Sequence, residues 1–149
     1  MNTDSPFRRF PFEPVHPHVP FTDDEIEQSI PERFEQQVRA AGDRLAIKSP
    51  ERSFTYVELN QTANRLARKI LSLRGERTEA IALMFDHGAS TLAAILAVLK
   101  TRKFYLVLDP TYPRERLAYM LVDSGAALII TDGNNFLFGS ELPRTERKW

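Results

Sequence analysis

The sequence of this 149-residue chain predicts an α/β fold, in which a small parallel sheet is flanked by helices. From residue 54 onward, helical patterns alternate with short apolar runs in the order αβαβαβ. The apolar runs show no polar alternation, which indicates strands that are covered on both faces. Right-handed crossovers that link parallel strands are the expected arrangement.

Composition excludes several classes of function. Lys plus Arg and Asp plus Glu each number 20, so no net field attracts nucleic acid or an anionic membrane. The absence of Cys excludes a disulfide scaffold, a thiolate metal site and a Cys nucleophile. No apolar run approaches the roughly 18 residues of a membrane span, and the first residues show no signal pattern. We therefore expect a cytoplasmic protein without a nucleic-acid or membrane partner.

Residues 1–25 are predicted to form an extended arm. Repeated prolines remove backbone donors and prevent a continuous helix, and phenylalanines lie between them. Two interpretations stay open: a disordered leader, or an arm whose aromatic side chains pack on the globular part. His16 and His18 have no carboxylate or Cys nearby, so we interpret them as solvated loop residues rather than metal ligands.

Two helices are predicted from their capping residues. In the first, Ser29 caps and Glu32 closes a capping box; an apolar stripe of Ile30, Phe34, Val38 and Ala41 leads to Gly42. A short strand, Leu45–Ile47, and a turn follow.

The second helix has the same signature in more detail. Thr55 is the N-cap, Glu58 is the third helical residue, and Phe54 and Leu59 are spaced as a hydrophobic staple. Gly75 is the predicted end. We interpret this run as structural rather than catalytic.

The remaining elements follow from the apolar pattern. A third helix, apolar nearly all round and therefore expected to be buried, is capped by Asp86 or Ser90. Residues 136–149 show no sustained period and are predicted to be an irregular tail. In order, the predicted elements are strand Ala80–Phe85, helix Thr91–Lys100, strand Phe104–Leu108, helix Pro113–Gly125 and strand Ala127–Ile130.

Few residues are candidates for chemistry, since no phosphate-binding loop or nucleophile-elbow motif occurs. Asp86 and His87 lie at a strand-to-helix turn, where we favour helix capping over a site role. Asp109 lies at the carboxyl end of a strand, where open α/β sheets bind ligands, but Asp-Pro also makes a turn. Arg114 and Arg116 are interpreted as a solvated face. We therefore assign no catalytic, cofactor-binding or metal-binding residue.

Two motifs carry a resemblance to a known family. The runs Phe54-Thr55-Tyr56-Val57-Glu58-Leu59 and Leu99–Leu117, the second with Asp109-Pro110-Thr111-Tyr112-Pro113, resemble core motifs of adenylation domains in nonribosomal peptide synthetases, within the adenylate-forming superfamily. The resemblance covers residues 26–135. It implies an incomplete N-terminal subdomain of an adenylate-forming enzyme.

The resemblance also implies chemistry for an intact relative. Such a domain activates an amino acid with ATP and Mg²⁺ to an aminoacyl-AMP and loads it onto a phosphopantetheinyl carrier domain. The family's ATP-binding and catalytic motifs lie downstream of the matching region, so no catalytic residue carries over. The expected function is that of a truncated amino-acid adenylation domain, inactive alone, whose partners are a carrier domain and downstream adenylation segments.

Departures from the family pattern and rival functions complete the predictions. Arg102 stands where relatives usually have Gly, which predicts strain at a left-handed turn. Val107 stands where they often have Pro, and the tail reads like a frame change before an early stop.

Two alternative functions compete with a truncated adenylation domain. One is a non-catalytic interaction module that pairs through an exposed sheet edge. The other is a flavodoxin-like nucleotide-binding domain, which the missing phosphate loop disfavours. We also expect self-association, because strands that relatives cover with downstream segments stay unpaired.

Overall fold

A computed structural model describes residues 22–50, 52–86 and 88–143. The histidines His16 and His18, nearly all of the arm and His87 lie outside the described residues. A 3₁₀ turn, Asp23–Glu25, precedes the first α-helix. The elements in chain order are α1 (Ile30–Ala41), β1 (Leu45–Lys48), β2 (Ser53–Thr55), α2 (Tyr56–Arg74), β3 (Ala80–Met84), α3 (Ala89–Lys100), β4 (Phe104–Leu108), α4 (Arg114–Ser124), β5 (Leu128–Thr131) and α5 (Phe136–Ser140).

The predicted parallel sheet is confirmed. Three strands pair in the order β4-β3-β5, and both pairings are parallel. All five residues of the central strand β3 are buried, as its continuous apolar sequence predicts. Since β4 and β5 each pair with β3 alone, both form edges of the described sheet.

Helices cover the two faces of the sheet with separate apolar clusters. Ile81 and Leu83 of β3 face α2 and α3, where Ala63, Ile70 and Ala97 are buried in the same cluster. The alternate β3 residues point to the opposite face, as strand geometry requires. They pack in the second cluster with α4 and the segment after β5; its other members include Leu108, Leu117, Leu121 and Leu142.

The predicted helix ends are largely correct. Ser29 with Glu32, and Thr55 with Glu58, each form a reciprocal capping box. Gly75 and Gly125 end α2 and α4 at φ values of +62° and +60°, which glycine adopts without the steric cost that a Cβ adds.

The cap predicted for α3 is wrong. The N-cap position is Gly88, without a side-chain cap, and neither Asp86 nor Ser90 caps the helix. The predicted burial is also only partly correct, because Leu92 lies on an exposed face of α3. Likewise Ile30 of the α1 stripe is exposed, since α1 packs on α2 and α3 along one side only.

One sheet and one helix escaped the sequence prediction. β1 and β2 form an antiparallel hairpin in which Ile47 pairs with Phe54. β2 has only three residues and leads directly into α2. Its sequence therefore shows the capping pattern of a helix start and is too short to show the alternation of apolar and polar residues that marks a strand. The irregular tail predicted for 136–149 contains the short helix α5, which is too short for a periodic signal.

The prediction that β4 is covered on both faces is wrong. Phe104, Tyr105 and Val107 are 53%, 40% and 47% exposed, and only Leu108 is buried. Among the described residues, β4 has one neighbouring strand, whereas β3 has two. The apolar sequence of β4 therefore predicts correctly that it is a strand, but it does not predict that β4 lies at the edge of the described sheet.

Candidate functional site

The carboxyl edge of the three-stranded sheet is the candidate site, because ligands of open α/β sheets bind there. An aspartate follows each strand at this edge: Asp86 near the end of β3, Asp109 after β4 and Asp132 after β5. Parallel pairing brings these strand ends to one side of the sheet. The sequence analysis singled out the first two and missed the third.

Asp86 and Asp132 form one polar cluster with two asparagines. The side-chain amide of Asn135 donates to Asp86 Oδ1 at 3.1 Å and to Asp132 Oδ1 at 2.9 Å. The amide of Asn134 donates to Asp86 Oδ2 at 3.2 Å, and the Asp86 backbone N–H donates to Asp132 Oδ2 at 3.3 Å. The asparagines therefore bridge two carboxylates that would otherwise repel each other.

Hydrogen bonding keeps Asp132 ionised. Partial burial by itself raises its pKa, but the backbone and side-chain N–H groups of Asn135, with backbone N–H groups of Asp86 and Asn134, outweigh burial and lower the pKa below its usual value. Asn135 is buried, and its own backbone N–H donates to Asp132 Oδ1 at 3.0 Å. Both carboxylates are thus occupied by neighbouring amides, which favours a role in joining the β3 and β5 strand ends.

Asp109 makes a turn, as the structural interpretation predicted. Its Oδ1 accepts from the backbone N–H of Thr111 at 2.9 Å and from the Thr111 hydroxyl at 2.7 Å. A cavity of about 360 Å³ lies beside it, with Tyr112 and Arg116 in its wall. The Arg116 guanidinium stacks 4.2 Å from the centroid of the Tyr112 ring, an arrangement that cation–π attraction stabilises.

Arg114 is an ion-pair residue rather than a purely solvated one. Its Nη1 lies 2.8 Å from Glu141 Oε2, and its Nη2 donates to the Glu141 carbonyl at 2.7 Å. Arg114 thereby fastens the segment after α5 to the start of α4. No group of three or more His, Asp or Glu side chains that could hold a metal ion occurs within 22–50, 52–86 and 88–143.

The motif around Thr55 also performs a structural task. Thr55 Oγ1 accepts from the Glu58 backbone N–H at 3.3 Å, and the Thr55 backbone N–H donates to Glu58 Oε2 at 2.8 Å. That backbone hydrogen bond, with the Thr55 hydroxyl, lowers the pKa of Glu58. Phe54 and Leu59 are both buried in the cluster beneath α2. Helix initiation alone therefore explains the spacing of the motif.

Arg102 adopts the backbone conformation that the sequence analysis expected of a glycine there. Its φ is +57°, and it is the one described non-glycine residue with a positive φ. The residue links α3 to β4, and its neighbour Lys103 is buried. Lys103 Nζ lies 3.5 Å from Glu79 Oε1 and donates to the Arg77 carbonyl, so the start of β4 is tied to the loop before β3.

Comparison with known proteins agrees with this geometry. The model of the family "AMP-binding enzyme" matches residues 34–148. The chain is 48% identical over 99 residues to a plipastatin synthase component of Bacillus subtilis (strain 168), an alignment that covers 66% of this chain and 4% of that protein. It is 36% identical over 109 residues to tyrocidine synthase 3 of Brevibacillus parabrevis, over 73% of this chain and 2% of that protein. Thus the chain spans only a small part of the length of these curated relatives.

Solved structures give the same result. The nonribosomal peptide synthetase FmoA3, in a form bound to alpha-methyl-L-serine-AMP, superposes with a TM-score of 0.69 at 29% identity, over 78% of this chain and 13% of that one. The N-terminal subdomain of Klebsiella oxytoca NpsA superposes with a TM-score of 0.64 at 21% identity, over 70% of this chain and 27% of that one, which shows the shared fold.

The chain belongs to the AMP-binding enzyme family. Within it, the chain corresponds to the N-terminal part of an adenylation domain of the nonribosomal peptide synthetase type. The family match extends past Asn135, where the sequence analysis ends the resemblance, to residue 148. Among the described residues, no helix has both the length and the apolarity to cross a membrane.

Proposed function

We propose that this chain is the N-terminal segment of an amino-acid-adenylating domain and that it supplies scaffold rather than chemistry. In the intact domain, an amino acid reacts with ATP to give an aminoacyl-AMP and pyrophosphate. The aminoacyl group is then loaded onto a phosphopantetheinyl carrier domain. Membership in the AMP-binding family supports the reaction class, as does the aminoacyl adenylate bound to the similar FmoA3.

The observation that carries the proposal is the engagement of every candidate carboxylate with its own chain. Asp86 and Asp132 accept from asparagine amides, Asp109 from Thr111, and Glu58 from Thr55. A carboxylate that accepts hydrogen bonds from donors of its own chain stabilises turns and helix starts. Within the two family motifs, Thr55 and Glu58 thus build the start of α2, and Asp109 builds the turn after β4.

The residues present do not fit ATP and Mg²⁺. The sequence contains no glycine-rich loop whose backbone N–H groups could hold a triphosphate. We therefore assign no step of adenylation to these residues and propose that the chain alone is inactive. ATP, Mg²⁺, the carrier domain and downstream adenylation segments are proposed requirements of the whole domain, with the cytoplasm as its compartment.

Pyrophosphate exchange into ATP tests the proposal. We expect the chain alone to give no amino-acid-dependent exchange above that of a heat-denatured sample. We expect exchange to appear when the remaining part of a similar adenylation domain, such as that of the plipastatin synthase relative, is supplied as a separate polypeptide. Exchange by the chain alone would contradict the scaffold role, as would complementation that a denatured chain supports equally well.

A second candidate function is a non-catalytic interaction module that pairs through a sheet edge. The exposure of Phe104, Tyr105 and Val107 on β4 favours it, since soluble monomers rarely leave an apolar edge strand open. The two functions are distinguished by complementation: a pure interaction module does not restore exchange to a downstream polypeptide.

A further inference from the structure

No strand within residues 22–50, 52–86 and 88–143 pairs with the outer edge of β4, where backbone groups are presented in a defined pattern. The backbone N–H of Phe104 donates to the Glu79 carbonyl at 3.3 Å, so this N–H points toward β3. In a parallel ladder, alternate residues point their N–H and C=O groups to opposite sides. It follows that Phe104, Leu106 and Leu108 bond to β3, whereas Tyr105 and Val107 point their backbone groups away from it.

Nothing in β4 protects that edge. Natural edge strands are usually guarded by a proline, a lysine, an inward-pointing charge or a bulge. The five residues Phe104–Leu108 contain none of these residue types, and their register with β3 is continuous. Tyr105 and Val107 also leave 40% and 47% of their surface exposed. At the opposite edge, all four residues of β5 are half-buried.

We propose that β4 pairs with β4 of a second copy of this chain, so that two three-stranded sheets join into one. A two-fold axis through Leu106 makes the pairing antiparallel. It sets Tyr105 opposite Val107 of the second copy and Val107 opposite Tyr105. Residues directly opposite in this way exchange both backbone hydrogen bonds, which gives four bonds across the axis. The self-complementary contact closes after two copies and does not propagate.

The charges at the two ends of β4 favour the same register. Arg102 lies just before the strand and is exposed, whereas Asp109 lies directly after it. Antiparallel pairing about Leu106 brings the basic end of one copy beside the acidic end of the other. A parallel pairing would instead bring like charges together, which opposes association. The inference does not depend on adenylation, and it gives the second candidate function, pairing through a sheet edge, a defined partner.

Sedimentation of the purified full chain tests the inference, with Val107→Pro as the disrupting variant. Proline at 107 removes an outward-pointing N–H from each copy, and thus two of the four bonds, while the bonds from β4 to β3 stay intact. We expect a dimer for the unchanged chain and a dissociation constant raised by about 10- to 100-fold for V107P.

Val107→Ala is the matched control, since it removes the side chain and keeps the N–H. We expect V107A to dimerise nearly as well as the unchanged chain. This result would distinguish backbone pairing from nonspecific association through apolar side chains. Amide exchange of the unchanged chain gives a second readout that does not depend on V107P folding: Tyr105 and Val107 should become protected as the concentration rises.

Three results would overturn the inference. They are a chain that stays monomeric up to about 100 µM, equal dimerisation of V107P and V107A, and protection of the Tyr105 and Val107 amides that appears only when a downstream adenylation segment is added. The last result would assign the edge to that segment instead.

Discussion

β3 and β4 are neighbouring strands of five apolar residues each, yet they differ in burial. Every residue of β3 is buried, whereas in β4 only Leu108 is. The difference arises from strand order, because β3 has a strand on both sides and β4 has one. An apolar run therefore predicts a strand reliably, but its burial depends on neighbours that the run itself does not specify. The exposed apolar surface of β4 is the observation on which the proposed pairing of two copies rests.

The strongest test of this comparison truncates two residues that lie side by side in the β3–β4 pairing, Leu83 and Val107. Leu83→Ala in β3 should lower the free energy of unfolding by about 2–5 kcal/mol, because it leaves a cavity in a packed core. Val107→Ala is the control in β4 and should cost under about 1 kcal/mol in dilute solution, since Val107 is half-exposed. Urea unfolding measures both, and equal costs would show that β4 is covered after all.

A second test asks what holds β4 in place. Lys103 is fully buried and bonds the Arg77 carbonyl and Glu79, so Lys103→Met should cost about 1–3 kcal/mol by leaving that carbonyl without its donor. Arg74→Met removes the other cation of Glu79, but the Arg74 side chain is 39% exposed, and the expected cost is under about 1 kcal/mol. If K103M were as mild as R74M, the anchoring of β4 would lie elsewhere.

The prediction of fold from sequence succeeded where the signals are local. Capping boxes, glycine helix ends and apolar strands depend on residues a few positions apart, and these elements appear as expected. It failed where distant segments decide the outcome. The β2 strand forms only by pairing with β1, and the exposure of β4 depends on the strand order. The Asp86–Asp132 cluster depends on Asn135, which lies 49 residues after Asp86 in the sequence. The recurrence of Asp after each strand was the one available signal for Asp132.

The cap of α2 provides a third, smaller test on the closed side of the sheet. Thr55→Ala removes the acceptor for the Glu58 N–H, and we expect a loss of about 0.5–2 kcal/mol by thermal or urea unfolding. Thr55→Ser should retain most of the stability as its control. Because the pKa of Glu58 is lowered on folding, this carboxylate's contribution is present above its unfolded pKa and lost as pH falls through its folded pKa. T55A removes the hydroxyl's hydrogen bond to this carboxylate and keeps that of the backbone N–H, so only the hydroxyl's part of the T55A deficit should narrow in acid.

In a complemented domain, T55A should leave turnover per folded molecule nearly unchanged. A large loss of pyrophosphate exchange at an unchanged melting temperature would instead indicate a catalytic role for the motif.

The smallest expected effect is a gain in stability. Arg102→Gly should raise the free energy of unfolding by roughly 1 kcal/mol, because glycine adopts the φ of +57° without the Cβ clash. Arg102→Lys keeps the strain and should leave stability unchanged. If R102G destabilises the chain, the side chain of Arg102 contributes more than its backbone costs.

Residue-resolved amide hydrogen exchange on a dilute sample tests the contrast between the two strands most directly. The account predicts protection along β3 and an alternating pattern in β4. The amides of Phe104, Leu106 and Leu108 should be slow, and those of Tyr105 and Val107 should exchange as fast as solvent-facing amides. Uniform protection of all five β4 amides at low concentration would contradict the open edge, and with it the difference between the two strands.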